Sequence, residues 1–180
     1  MTCIVGIVDK EAGSVVLAAD SLWLYDGQRI SYANDPKVWR ADRWLLGFSG
    51  SRACQPFLQR TPLPNSGDVD DDVFEWTKTA RHATGKYTYT LDGDDKAGWT
   101  VLVATGVRLW LASGSGAVCD FTKRGFMAIG SGAPYALGAL SVTQAGTKLS
   151  AESAAQLAVE TACHHDAGSG LPVSCARTTS

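Results

Sequence analysis

The chain has 180 residues, a length that one domain fills, and its 45% hydrophobic content supports a sizeable core. Only 19% of residues are charged and the formal net charge is −2, with no basic run or stripe, which argues against nucleic acid or an anionic membrane surface as a partner. No stretch approaches the roughly 18 apolar residues of a spanning helix, and the first apolar run is broken by Asp9-Lys10-Glu11 with no basic segment before it, so no secretory signal is read.

Residues 2–8 are rich in Ile and Val and read as a strand, and Asp9 to Gly13 as a turn. Val15 to Ala19 returns as a second apolar strand ending at Asp20-Ser21, so a carboxylate sits at the lip of a buried strand. Trp23 to Gln28 reads as a loop, followed by a short strand at Ile30–Tyr32. Pro36 presses Asp35 toward an extended conformation, and Lys37 starts another strand. Ala41-Asp42 turns, and Trp44 to Gly50 completes a second hairpin. Ser51 to Gln59 reads as one short helix capped by Ser51 and limited by Pro56. Thr61 to Gly67 is a loop by composition.

Asp68 to Thr84 reads as a helix with an acidic first turn suited to the positive end of its dipole and Gly85 as C-cap. Val69, Val73, Trp76, Ala80 and Ala83 recur at spacings of four and three and mark its buried stripe. Asp92-Gly93-Asp94-Asp95 resembles a fragment of a calcium loop but lacks the remaining ligand spacing, so a solvated turn is read there. Trp99–Ala104 and Val107–Ala112 form the clearest hairpin, and Val118–Phe121 and Phe126–Ile129 are shorter strands. Gly130-Ser131-Gly132 opens a helix whose small residues Ala136, Gly138 and Ala139 permit a close neighbour. Ser150 caps a last helix, with Ala154, Leu157, Ala158 and Thr161 along one face. It ends near Asp166 to Gly170, ahead of a strand at Val173–Cys175.

Runs of strands and helices thus alternate in blocks, with no internal repeat and no linker for a second domain. That order predicts an α+β domain over 1–180, with two antiparallel sheets packed face to face and a helix layer outside each, a four-layer αββα sandwich. The five cysteines are scattered, odd in number and form no CxxC pair, which reads as reduced, mostly buried thiols of a cytoplasmic protein. His164-His165-Asp166 is the one tempting metal cluster, but adjacent helical positions diverge by roughly 100°, so no metal site is assigned.

Thr2 follows the initiator Met directly. With Met1 removed it carries a hydroxyl nucleophile and a free α-amine on one residue, and such an amine titrates near pH ~8. Six segments then share the layout of one family. They are Thr2 before an Ile-Val-Gly strand, Ala18-Ala19-Asp20-Ser21, Pro36-Lys37-Val38, Leu46-Gly47-Phe48-Ser49-Gly50, Ala128 through Ala136, and Asp166-Ala167-Gly168-Ser169-Gly170. Together they resemble a proteasome β-type subunit of the N-terminal-nucleophile hydrolases. The layout is nearest to bacterial proteasome-like peptidase subunits and their small phage and bacterial relatives.

The resemblance implies a threonine peptidase that needs no metal or cofactor. Thr2 Oγ would attack the scissile carbonyl and the Thr2 amine would take the proton. Lys37 would lie beside Thr2 with Asp20 holding it, and the Gly47 N–H would donate to the oxyanion. Ser131, Asp166 and Ser169 would position the Thr2 amine, and Leu45 and Ser49 would face the substrate. A peptide or amide substrate, a homo-oligomer of ring type and a separate ATPase are the implied partners. Two other functions remain open on the sequence. One is a non-catalytic scaffold or assembly protein of the same fold with Met1 retained, since a retained Met1 acylates the base. The other is an amidohydrolase acting on small molecules.

Overall fold

In the computed structural model the residues described are 2–25, 28–31, 36–85, 98–146 and 149–179. Strand β1 (Ile4–Asp9) and strand β2 (Ser14–Asp20) form an antiparallel pair in which Ile4 faces Ala19 and Asp9 faces Ser14. Both are buried along nearly their whole length, and both read as unbroken apolar runs because a sheet lies on one side of them and helices on the other.

A short ribbon follows, β3 (Leu22–Tyr25) with β4 (Gln28–Ser31). Leu22–Tyr25 is therefore a strand where the sequence reading places a loop from Trp23, while Tyr32 and Asp35 lie outside the described residues. The hairpin of β5 (Val38–Ala41) and β6 (Trp44–Gly50) turns at Asp42-Arg43, with Asp42 at a positive φ of 53°. Lys37 sits one residue before β5 rather than starting it.

Helix α1 (Gln55–Arg60) is capped by Cys54, not by Ser51. The Ser51 amide donates to the Gly98 carbonyl at 2.6 Å, which ties Ser51 to the neighbouring strand, and Pro56 falls in the first turn, where its missing N–H costs nothing. Helix α2 (Val69–Thr84) is capped by Asp68, whose side chain accepts from the amides of Asp70 and Asp71. Val73, Trp76 and Ala80 of the expected stripe are buried, whereas Ala83 is half-exposed. Asp72 does more than suit the helix dipole. It is 1% exposed, accepts the Ser66 amide at 3.0 Å and pairs with Arg43 at 2.8 Å.

After residues 86–97, which include the acidic Asp92–Asp95 turn and lie outside the described set, β7 (Trp99–Thr105), β8 (Arg108–Ser113) and β9 (Val118–Asp120) extend the second sheet. Strand β10 (Phe126–Ile129) returns to β1. Helices α3 (Ala133–Gly146) and α4 (Ala151–His165) pack together, and β11 (Val173–Arg177) closes against β2. Ser150 caps α4 as expected, accepting from the Ser153 amide. The buried face of α4 is Ala154, Ala155, Ala158, Val159 and Ala162, while Leu157 is 43% exposed. Ala154 and Ala158 of the expected face are buried and Leu157 and Thr161 are not, because small residues let α4 approach the first sheet. Gly138 likewise faces open space, and Ala136 and Leu140 are the buried contacts of α3.

The strand orders are β10-β1-β2-β11 and β5-β6-β7-β8-β9. Ile4, Leu17, Leu45, Leu102 and Leu109 fill the space between these sheets. Val5, Ile7 and Val16 meet the α3–α4 pair, and Leu46, Phe48 and Val101 meet Trp76 and Leu58 of α2 and α1. Two antiparallel sheets lie between two helix layers, the αββα sandwich expected from the sequence. The buried indoles are satisfied as well as packed: Trp76 Nε1 donates to the Thr61 carbonyl at 3.1 Å and Trp99 Nε1 to Thr84 Oγ1 at 2.8 Å.

Candidate active site

Strand order decides where the chemistry gathers. Antiparallel pairing puts the start of β1, the end of β2, the end of β10 and the start of β11 at one end of the first sheet. Thr2, Asp20, Gly130-Ser131 and the Asp166–Gly170 turn therefore meet there. Lys37 and Ser49 approach the same end from the second sheet.

Asp20 is the most heavily bonded side chain of the group. Its Oδ1 accepts the Cys3 amide at 2.9 Å and the Lys37 ammonium at 2.8 Å. Its Oδ2 accepts the amides of Leu22 at 3.1 Å and Gly170 at 3.0 Å. The two side chains of the ion pair are both 0% exposed. Lys37 Nζ also donates to the Leu22 carbonyl at 2.5 Å. Burial draws the Lys37 proton affinity below the usual lysine value, opposed by the Asp20 charge and its hydrogen bond. One carboxylate oxygen is thus shared by the lysine and by the peptide unit that follows Thr2.

Thr2 itself is 2% exposed. Its nitrogen donates to Ser131 Oγ at 3.2 Å, and its carbonyl accepts the Gly132 amide at 3.1 Å. Ser131 Oγ donates to Asp166 Oδ2 at 2.7 Å, and Ser169 Oγ donates to the same oxygen at 2.6 Å. The Gly168 amide donates to Asp166 Oδ1 at 3.2 Å. Burial pushes the Asp166 carboxyl upward, but the Ser169 and Ser131 hydroxyls and the Gly168 amide outweigh it, and the net value lies below the usual aspartate range. A depressed carboxylate stabilises the fold above its unfolded value, near pH ~3.9, and that contribution is lost as pH falls through the lower folded value. Asp166→Asn is expected to flatten the acid limb of a stability–pH curve below about pH 4, measured by chemical denaturation across pH.

Gly130 holds the Thr2 segment in place. Its φ is +94°, and a Cβ there would lie 2.1 Å from the Thr2 carbonyl oxygen. A Cβ on Gly132 would lie 2.7 Å from Cys3 Cβ and 2.8 Å from Ser169 Oγ. Gly130→Ala is expected to cost about 1–3 kcal/mol from the backbone conformation alone, and to displace Thr2. Denaturation midpoints together with the rate of Thr2 modification check it; a variant with wild-type values in both would refute this role for Gly130.

The second sheet is less as expected. Gly47 pairs with Val38 on one side and Leu102 on the other. The Phe48 amide donates to the Lys37 carbonyl at 2.8 Å, and neighbouring residues of an antiparallel strand alternate in direction, so the Gly47 amide faces β7. The ladder takes that N–H, and the oxyanion role expected of it is not supported by this pairing. Its missing side chain makes room for Ile4, whose Cγ2 would be 2.8 Å from a Cβ. Leu45 is 1% exposed within the inter-sheet core and opens onto no surface. Ser49 Oγ does reach the site, 3.0 Å from where a Gly130 Cβ would stand.

No family model matches the chain. The ATP-dependent protease subunit HslV of Caldicellulosiruptor saccharolyticus is 31% identical over 160 residues, covering 85% of this chain and 85% of that protein. The chain belongs to the HslV family of proteasome-like N-terminal-nucleophile proteases. It is accordingly a threonine peptidase of the proteasome β type. Among solved structures, Thiobacillus denitrificans BPH in complex with epoxomicin superposes with a TM-score of 0.80 at 27% identity, over 98% of this chain and 97% of that one. The eukaryotic HslV from Trypanosoma brucei shares the fold, with a TM-score of 0.71 at 23% identity over 98% of each chain.

Within this HslV-type framework the structure joins Thr2, Asp20, Lys37, Ser131, Asp166 and Ser169. Sequence reasoning missed the Leu22 carbonyl, the Gly170 amide and Trp23, whose ring faces Lys37. The first two are backbone groups with no side-chain signature, and Trp23 was assigned to a loop. Among the described residues no group of three or more His, Cys, Asp or Glu is placed to hold a metal, and no helix is long and apolar enough to cross a membrane. All five cysteines are free; Cys3 and Cys54 are buried, but Cys119 and Cys175 are exposed, contrary to the expected burial of most of them.

Proposed function

We propose that Thr2, freed of Met1, is the nucleophile of this peptidase and that its own α-amine is the general base. The observation that carries the reading is the hydrogen-bond chain from the Thr2 nitrogen through Ser131 Oγ to Asp166, set against the Lys37–Asp20 pair on the same segment. Thr2 Oγ attacks the substrate carbonyl and its proton passes to the amine, through a water. The tetrahedral intermediate collapses to a Thr2 ester and expels the amine product, which takes that proton. Water then hydrolyses the ester. Lys37 provides the positive charge that favours the developing alkoxide. Ser131, Asp166 and Ser169 hold the amine, and Ser49 lines the approach.

The two sheets pack on each other and each carries one helix pair on its outer face, which supports residues 1–180 as one catalytic domain. A peptide substrate, a homo-oligomeric ring, a separate ATPase and a cytoplasmic setting are proposed from the relative named as an ATP-dependent protease subunit. The test is intact mass of the chain from a host with methionine aminopeptidase, followed by labelling with a peptide epoxyketone. Loss of Met1 and an adduct on Thr2 are expected. A chain that keeps Met1 in its native source, or a processed chain with no adduct on Thr2, would sink the reading in favour of a scaffold.

A further inference from the structure

We propose that Trp23 is a positioning residue for Lys37, its indole face holding the buried ammonium without consuming an N–H. This rests on Thr2 being the nucleophile. An ammonium has three N–H groups. Two are spent, on Asp20 Oδ1 at 2.8 Å and on the Leu22 carbonyl at 2.5 Å. A catalytic lysine needs the remaining one for the Thr2 hydroxyl, so any further stabilisation of the charge has to come from a group that accepts no hydrogen bond. The Trp23 ring is such a group. Lys37 Nζ lies 5.1 Å from its centroid, inside the ~6 Å range where the ring quadrupole attracts a cation.

The ring is also well held. Trp23 is 6% exposed, pairs with Ile30 in the β3–β4 ribbon and packs in the cluster that contains Phe48, Cys54 and Leu58. A desolvated cation–ring contact is at the strong end of its range.

The same ring carries a second cation. The Arg52 guanidinium lies 5.0 Å from the Trp23 centroid, which puts the two charges no more than about 10 Å apart by the geometry of a shared ring. The groups whose charge or ring bears on Lys37 are therefore Asp20 from β2, the Trp23 ring and the Arg52 that shares it, and the thiols Cys3 beside β1 and Cys163 on α4. Burial, with the Asp20 charge, pushes Cys3 far up and Cys163 up to about 11, so both are neutral thiols in the working range. Asp20 and the indole favour the ammonium; burial and Arg52 oppose it.

The test compares wild type, Trp23→Phe, Trp23→Leu and Arg52→Gln. Each is treated with saturating peptide epoxyketone across pH, and the rate of Thr2 modification is followed by mass, with a melting curve at each pH. Leu removes the ring and Phe weakens it. Trp23→Leu is expected to move the alkaline limb of the profile down by about one pH unit, and Phe by less. The half-saturating probe concentration is expected to stay unchanged. Arg52→Gln, which removes the charge of an exposed residue held on the same ring, moves the limb the other way. If Trp23→Leu does not fold, the Phe and Gln variants decide with their opposite shifts. An even fall in rate with the limb unmoved makes Trp23 ordinary core packing and overturns the proposal. Failure of wild type to be modified at Thr2 overturns the nucleophile assignment itself.

Discussion

Thr2→Ala is expected to reduce peptide hydrolysis by on the order of 10⁶-fold, the loss seen when a nucleophile that acts as a unit with its base is deleted. The substitution keeps the α-amine, so on the proposed chemistry it removes the attacking oxygen and leaves the base. It also keeps the backbone bonds that order the segment, the Thr2 carbonyl with Gly132 and the Cys3 amide with Asp20. Its fold and melting temperature are therefore expected to match wild type. The measurement is steady-state turnover of a fluorogenic peptide panel, with both proteins checked for removal of Met1 by intact mass. Residual turnover at a tenth of wild type or more would show that another group attacks. Turnover of small amides but of no peptide, lost equally in Thr2→Ala, would keep the nucleophile and change the substrate.

Asp20→Asn is the second large effect, and it falls on stability as well as rate. The carboxylate accepts four bonds, from Lys37, Cys3, Leu22 and Gly170, and an amide has one acceptor oxygen to offer in place of two. The substitution also leaves Lys37 charged, fully buried and without its partner. Breaking a buried pair from one side costs about 3–5 kcal/mol, which for a chain of this size lowers the melting temperature by roughly 6–20 °C. Adding Lys37→Met should recover part of the loss, because the stranded charge is then gone. Calorimetry on the two single variants and the double variant measures the coupling. Strict additivity, or a change under about 1 kcal/mol for Asp20→Asn, would mean that this pair is not the anchor described.

Much of this arrangement was legible in the chain, and the reason is local. Thr2 before an apolar strand, Asp20 ending another, Lys37 after Pro36 and the Ser131 and Asp166 turns sit at strand ends and helix caps that composition marks, while their gathering into one site followed from the resemblance to the proteasome β-type layout. The fold class followed from the blocks of strands and helices. The misses have a different origin. The direction of the Gly47 amide depends on the pairing parity that the Asp42-Arg43 turn sets, and one residue's difference reverses it. The α4 face was half legible: Ala154 and Ala158 are buried as expected, but the face turns toward Ala155, Val159 and Ala162 rather than Leu157 and Thr161, because close approach to the sheet favours small side chains. The Leu22 carbonyl is main chain, and only the folded path of β2 into β3 brings it to Lys37.

The pairing that joins β10, β1, β2 and β11 has a bearing on how the enzyme comes into being. The Thr2 nitrogen finds Ser131 across 129 residues of sequence, and Asp20 finds the Gly170 amide across 150. Contacts of such span form late, after long loops have closed, and during synthesis the N-terminal end emerges first. A nascent chain therefore carries Thr2, the proposed nucleophile, long before it has Ser131 and Asp166, which would hold the base. On the proposed chemistry, hydrolytic competence is expected only once the segments carrying Ser131 and Asp166 have docked, so the topology itself would keep the unfinished chain from cutting.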